Sequence, residues 1–472
     1  MVKDRKIQFL FLVVFLLSCL LRLALVVFNR QANDPHWQVA DIILQLHNFP
    51  LKNDCWECFQ PKLFHLVFAA ALQVSGWYKN SANQQNLVGE IVNFPAGVIT
   101  LIVVWAFINH LPSQKGWLKL LAFALVAFNP ALIGIGAQAT NDAFAILFST
   151  LALYFAYRFI EQPKAIPFAL ALVSLLLGIS SKTNVWVTAV AIVIALLIKT
   201  LVQKGQRIKN ASYAFSFVLI VTAVSIWNPL NQYRVNYRLY GSPVLLNKKT
   251  KPLPPFFGKG GTSGIWSIQD GLFTFKLGQL LEHPRLEQNP PKISDYQTSL
   301  WTVLYGRAHS IHFENARPTW VTSGPTLFPL TRGILILALS PTILIFVGAA
   351  LESFWIIRGL IRKDAYQVQT IFFGLFLLTF VGYLLFEILY TLEIQAVTVL
   401  KVIFVYPALL TFPYLFLQAG ERLFSTFDKF SMIHKWKGWL VSSIEIGIGI
   451  LLVLYVVDVV TLILQLAKVV HF

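Results

Sequence analysis

Apolar runs of about twenty residues, each long enough to cross a bilayer, recur from one end of this chain to the other and leave few folds open to it. They fall near residues 7–28, 86–109, 118–136, 143–160, 165–181, 184–203, 211–229, 333–358, 367–390, 397–418 and 438–460, about eleven spans on a hydropathy reading. The expected class is an all-α polytopic membrane protein. Composition agrees, since 12% of the 472 residues are charged, against about 25% in an ordinary soluble domain.

The formal charge of +17 raises the question of a nucleic-acid partner. The basic residues, however, are spread over the segments between spans and form no arm or stripe, so no nucleic acid is expected and membrane lipid is the expected partner. The first run follows Lys3, Arg5 and Lys6. Its length and lack of a small-residue cleavage site argue for an uncleaved span. With a cytoplasmic N-terminus, the short cytoplasmic segments carry Lys115 and Lys119, Arg158 and Lys164, Lys199 to Lys209, Arg358 to Lys363, and Arg422 to Lys437. The opposite short loops are poor in Lys and Arg, as the positive-inside rule requires. This orientation places residues 29–85 and the long Pro- and Gly-rich segment 231–332 outside. The expected division is a module over 1–230 with its first outer loop at 29–85, an extracytoplasmic loop subdomain over 231–332, and C-terminal helices over 333–472.

The first outer loop gathers chemistry. Asn33, Asp34, Pro35, His36 and Trp37 follow the first span, and Val39, Ile42, Ile43 and Leu46 then recur at helical spacing, as in a helix lying on the membrane surface. Asp34 either caps that helix or, at the edge of a low-dielectric region, serves as a general base. Cys55 and Cys58 bracket Trp56 and Glu57. Their spacing suits a disulfide that stiffens the loop, a redox pair or half a metal site. No thioredoxin pattern or second ligand pair accompanies them, which leaves a small structural disulfide or two free thiols. Glu57 is a contact for sugar or acceptor, or a solvated loop acid. His309 and His312 suit one helical face, either on the acceptor side of a cavity or as ordinary surface polar groups. Arg22 has Glu90 as a candidate internal partner.

Several short elements then line up in order. Asn33 to Trp37 resembles an Asp-Glu-x-His-Phe motif with Asn in the leading position, and Pro61-Lys62-Leu63 resembles a Pro-Pro-Leu element with Lys in place of the second Pro. Gln138 to Ala143 looks like a Thr-Asn-Asp-Ala element, and Ser181-Lys182 like a Ser/Thr-Lys element. Tyr237 to Pro243 is similar to an Arg-Asn-x-x-x-Tyr-Gly-Asp-Pro segment, and Lys401 with Val405 to Ala408 is similar to an Arg-Tyr-x-x-Pro-Ala element. Together these resemble the GT-C membrane glycosyltransferases, in particular the protein O-mannosyltransferases and bacterial lipid A aminoarabinose transferase, across roughly the first 410 residues.

The resemblance implies a GT-C fold. It implies transfer of a sugar from a polyprenyl-phosphate (lipid-linked) donor to a protein, glycan or lipid acceptor, with the anomeric carbon inverted in one displacement. Asp34 is then the base. Lys182, Arg238 and Lys401 are candidate partners of the donor phosphate, or cations snorkelling to the interface. Asp142 is a helix N-cap, or an acid that helps to place the donor or a metal. His36 lies beside the catalytic acid. No Asp-x-Asp or Glu-x-Asp spacing occurs, so no cofactor is expected to be required, although the residues leave room for a divalent cation. Two other readings are a transporter or flippase of lipid-linked sugars, and an inactive family member acting as a complex subunit, for which Asn33 speaks.

Overall fold

The computed structural model describes residues 5–29, 35–112, 115–245, 268–282, 284, 298–310, 328–362, 367–394, 400–429 and 434–469. Over these residues the chain is helical throughout, with no strand. The helices are α1 (Arg5–Phe28), α2 (His36–Leu46), α3 (Leu63–Ser75), α4 (Ala82–His110), α5 (Gly116–Ala127), α6 (Pro130–Gly136), α7 (Asp142–Glu161), α8 (Ala165–Ser181), α9 (Trp186–Val202) and α10 (Arg207–Trp227). They continue with α11 (Tyr233–Tyr240), α12 (Ile268–Phe273), α13 (Leu277–Glu282), α14 (Leu300–Ala308), α15 (Phe328–Leu337), α16 (Leu339–Arg362), α17 (Gln367–Ile394), α18 (Thr411–Lys429) and α19 (His434–Val469).

Eight of these segments are long and apolar enough to cross a membrane, nine if the bent pair α5 and α6 is one span. This is an integral membrane protein. The expectation of about eleven spans exceeds that count for three local reasons. The run at 118–136 is broken by Asn129-Pro130. Asn129 accepts the Leu132 N–H as the α6 N-cap and Pro130 opens the new helix, so the two pieces meet at 51°. The run at 165–181 is a helix of 17 residues, about 26 Å at 1.5 Å per residue and so short of the roughly 30 Å apolar core. The run at 397–418 is interrupted by 3-10 turns at Val402–Phe404 and Tyr406–Ala408 before α18 begins.

The core is built from small faces. α7 lies against α8 and α4, α17 against α9, and α16 against α18. At the last crossing a Cβ on Gly348 would fall 2.1 Å from the Leu415 carbonyl oxygen, so the close approach of the two helices requires glycine there. Large apolar side chains such as Phe9, Leu20 and Ile99 point outward, as expected where lipid is the solvent. Two sequence expectations change on the α1 and α2 faces. Arg22 does not pair with Glu90: it donates to the Ser18 hydroxyl and to the Ala127 carbonyl at 3.0 Å, capping the end of α5 at its break. Glu90 instead accepts from Asn29 and Asn86. The apolar stripe of α2 is Val39, Ala40 and Ile43, buried against Phe64, Phe68 and Leu72 of α3. The helix therefore spends much of its amphipathic face on protein.

Candidate functional site

The polar groups that the sequence singles out meet where α7 begins and α8 ends. Asn93 of α4 holds the turn before α7, donating to the carbonyls of Gln138 at 2.6 Å and Thr140 at 2.7 Å. One turn earlier, Gly89 makes room for it, since a Cβ there would lie 2.5 Å from the Ala139 side chain. Asp142, the first residue of α7, accepts from Lys182 Nζ at 2.5 Å and from the Thr140 hydroxyl at 2.8 Å. The two charged side chains are 5% and 8% exposed. A buried pair of this kind persists because each charge supplies the other's solvation, and the positive end of the α7 dipole favours an acid in the first turn. The Lys182 ammonium also lies 4.9 Å from the centre of the Phe404 ring, within cation–π range.

Asn141 stands at the N-cap position of α7, yet its side chain makes no capping bond. Its amide donates instead to Gln60 Oε1 at 2.9 Å and to the Ser181 carbonyl at 3.0 Å. One side chain thus ties α7, the end of α8 and the first loop together. Gln60 in turn donates to Glu57 at 2.8 Å. Cys55 and Cys58 are joined in a disulfide, so the turn carrying Glu57 is closed covalently. Lys62 is fully buried and donates to the Cys58 carbonyl at 2.5 Å and the Gln60 carbonyl at 2.7 Å. Burial pushes its ammonium down to about 7, against the opposing pull of Glu57 and Asp54.

A second polar pair links the starts of α2 and α3. His65 Nδ1 faces the Pro61 carbonyl at 3.2 Å, and His36 Nδ1 faces His65 Nε2 at 2.9 Å. A carbonyl only accepts, so neutral His65 carries its proton on Nδ1. His36 then donates from Nδ1. Phe64 closes edge-on over both rings.

The remaining candidates lie elsewhere. Arg238 is exposed on α11. Lys401 is half-buried and its backbone N–H donates to the Glu387 carboxylate at 3.1 Å, while the buried Arg307 donates to the neighbouring Leu400 carbonyl at 2.6 Å. His309 is not a surface group: it bonds Tyr455 at 2.5 Å and Thr342 at 3.2 Å, and burial pushes it down to about 3. It lines an apolar cavity of about 470 Å³ with Tyr406, Leu304, Phe346 and Phe412. The turn at 402–408 separates this cavity from the Asp142–Lys182 pair: Val402, Val405 and Tyr406 face the cavity, and Phe404 faces Lys182. Asp34 and His312 lie outside the described residues. Among the described residues no group of three or more His, Cys, Asp and Glu side chains converges on a metal position.

Sequence reasoning passed over Gln60, Lys62 as a buried cation, His65 and Phe404. A signal was available for two of them. His36 and His65 each fall in the opening turn of an apolar helix, and Lys62 is the one departure inside the Pro-x-Leu element.

Residues 82–227 match the family model described as dolichyl-phosphate-mannose-protein mannosyltransferase. Sequence comparison with curated proteins gives no match. Among solved structures, the chain is similar to the S. cerevisiae protein O-mannosyltransferase Pmt1-Pmt2 complex bound to the sugar donor, at 13% identity and TM-score 0.35, over 52% of this chain and 35% of that one. It is similar to the oligosaccharyltransferase AglB from Archaeoglobus fulgidus, in complex with an inhibitory peptide and a dolichol-phosphate, at 12% identity and TM-score 0.42, over 97% and 56%. It is also similar to ArnT from Cupriavidus metallidurans bound to undecaprenyl phosphate, at 12% identity and TM-score 0.35, over 87% and 77%. The chain thus spans about a third of the yeast protein and just over half of the archaeal one. At these TM-scores the structural likenesses are loose and carry no argument. Over residues 82–227, under a third of its length, this membrane protein is similar to the dolichyl-phosphate-mannose-protein mannosyltransferase family.

Proposed function

We propose that the protein is an inverting glycosyltransferase that moves a sugar from a polyprenyl-phosphate donor to an acceptor on the extracytoplasmic or luminal face. The observation that carries this reading is the turn at 402–408, which has a buried cation on one side and an apolar cavity of about 470 Å³ on the other. A lipid-linked sugar has the same two halves, an anionic phosphate and an isoprenoid chain. In this reading the chain lies in the cavity and the phosphate near Lys182.

The leaving group is a phosphate, which gains charge as the glycosidic bond breaks and needs cations rather than a proton donor. Lys182 supplies one. An ammonium has three N–H donors and Asp142 takes one, fixing the direction of the others. Arg238 and Lys401 are further cations for the phosphate, and Glu57 and His36 are contacts for sugar or acceptor. Asp34 takes the acceptor's proton as the nucleophile attacks the opposite face of the anomeric carbon. The scheme calls for no cofactor. A metal-bound variant of it would use Asp142.

The test is to incubate purified protein with radiolabelled dolichyl- and undecaprenyl-phosphate sugars and follow donor consumption. One donor is expected to be consumed by the wild type and not by Asp34→Asn, with expression and folding of that variant unchanged. Consumption by Asp34→Asn at near-normal rate removes it as base. Passage of an intact donor across a proteoliposome membrane, with none consumed, makes the protein a transporter instead.

A further inference from the structure

The first loop departs from the Pro-Pro-Leu pattern at one residue, Lys62, and the structure gives that residue unusual surroundings. Its side chain is fully buried, and its ammonium bridges the carbonyls of Cys58 and Gln60. Its backbone N–H donates to the Leu230 carbonyl at 2.8 Å, a bond that proline cannot make. A buried ammonium is costly in isolation, so a merely structural filler at this place would be apolar. What the lysine secures is the path of residues 58–60. That path aims the Gln60 amide, whose nitrogen donates to Glu57 and whose oxygen accepts from Asn141. Asn141 is bonded to Ser181 and is followed in sequence by Asp142, the partner of Lys182.

We propose that Lys62 is a positioning residue for glycosyl transfer: it clamps the disulfide-closed turn so that Gln60 locks Asn141, and with it the Asp142–Lys182 pair, in the geometry that receives the donor phosphate. The inference rests on the glycosyltransferase reading above. The second proline of the family element stiffens the chain by fixing a backbone angle. Here a side chain does this from within, by holding two carbonyls that would otherwise be free to rotate.

The charged groups facing Lys62 are Glu57 and Asp54, with His36 and His65 on the adjoining helix starts. An unfolded lysine holds its proton to about 10.4, whereas folded Lys62 releases it near 7. Between these values the unfolded chain binds more protons. Burial of Lys62 therefore adds a rise in the stability of the wild type as pH goes from about 7 towards 10.

The experiment compares wild type, Lys62→Met, Gln60→Ala and the double variant in detergent. Lys62→Met keeps the N–H and the unbranched four-atom stem while removing the clamping nitrogen. Its kcat is expected to fall about tenfold, the scale of a small misplacement, with donor KM within twofold. Gln60→Ala should lose as much, and the double variant no more than either, because both act on one contact. Losses that multiply in the double variant, or unchanged kcat in Lys62→Met, overturn the proposal. The melting temperature reports on the burial of Lys62 without turnover: its rise with pH above 7 should be smaller in Lys62→Met, and a slope equal to that of wild type also overturns the proposal. If no donor is consumed by the wild type while the pH slope depends on Lys62, the glycosyltransferase reading fails and the positioning role with it, and the burial of Lys62 alone stands.

Discussion

Helix α7 carries an ion pair at each end, and the two ends could hardly be treated more differently. Its 20 residues run about 30 Å, the thickness of an apolar bilayer core. At the first residue, Asp142 meets Lys182 at 2.5 Å with both side chains under a tenth exposed. At the last, Glu161 meets His110 at 2.7 Å and Arg158 at 3.5 Å, with each side chain about a third exposed. The helix dipole favours Asp142 in the first turn and Arg158 in the last, and opposes Glu161 at the C-terminal end. At the wet end water can replace either partner. At the dry end protein groups solvate the charges, Lys182 and the Thr140 hydroxyl for Asp142 and Asp142 and the Phe404 ring for Lys182, so neither ion has water to replace its counter-charge.

The largest effect that this comparison predicts comes from breaking the dry pair. Asp142→Asn leaves a buried ammonium without its counter-charge, which costs about 3–5 kcal/mol. The melting temperature in detergent should fall sharply and donor consumption should drop about a hundredfold or more. Asp142→Asn combined with Lys182→Met removes both charges. It should regain most of the lost stability, because two apolar or neutral groups need no mutual solvation, and none of the activity, because the phosphate has lost its cation. If Asp142→Asn melts within 1 kcal/mol of wild type, the two ends of α7 are equivalent and the argument from burial is wrong.

A smaller effect is expected from opening the turn that leans on the dry end. The Cys55–Cys58 loop has a sequence separation of 3, and closing so short a loop stabilises by about 2 kcal/mol on chain-entropy grounds. Reduction, or Cys55→Ser with Cys58→Ser, should lower stability by up to that amount. It should slow transfer less than Asp142→Asn does, since Gln60 and Lys62 still hold the turn. The same treatment should leave the His110–Glu161 end unaffected in hydrogen exchange. Increased exchange there would show that the ends are coupled through α7.

How much of this was legible beforehand follows the same line. Apolar periodicity revealed the spans because each is long and local, and the break at Asn129-Pro130 was visible in principle as a cap followed by proline. The order of short motifs located the turn at 138–142 and the end of α8. Invisible were the contacts between distant segments: nothing in the sequence says that Lys182 faces Asp142, 40 residues earlier, or that Asn141 abandons the capping role that its position suggests in order to reach Gln60. Lys182 read as a snorkelling or phosphate-binding cation because a sequence shows a charge and not its surroundings. His309 was open for the same reason: its spacing allowed a cavity wall or a polar surface, and its neighbours, Tyr455 and Thr342, come from α19 and α16.

The smallest effect belongs to the wet end. Glu161→Gln removes the acid from His110 and Arg158 while leaving a side chain of the same shape, and water reaches all three groups. Exposed pairs of this kind are worth about 0–1 kcal/mol, less at high salt, so the melting temperature should move by no more than that corresponds to. Raising salt should abolish the difference between Glu161→Gln and wild type. The same change in salt should leave the deficit of Asp142→Asn in place, because ions screen exposed pairs well and buried ones poorly. A large, salt-resistant loss in Glu161→Gln would mean that this end is also held dry, in which case burial would no longer set the Asp142–Lys182 pair apart as the proposed donor-phosphate end of the helix.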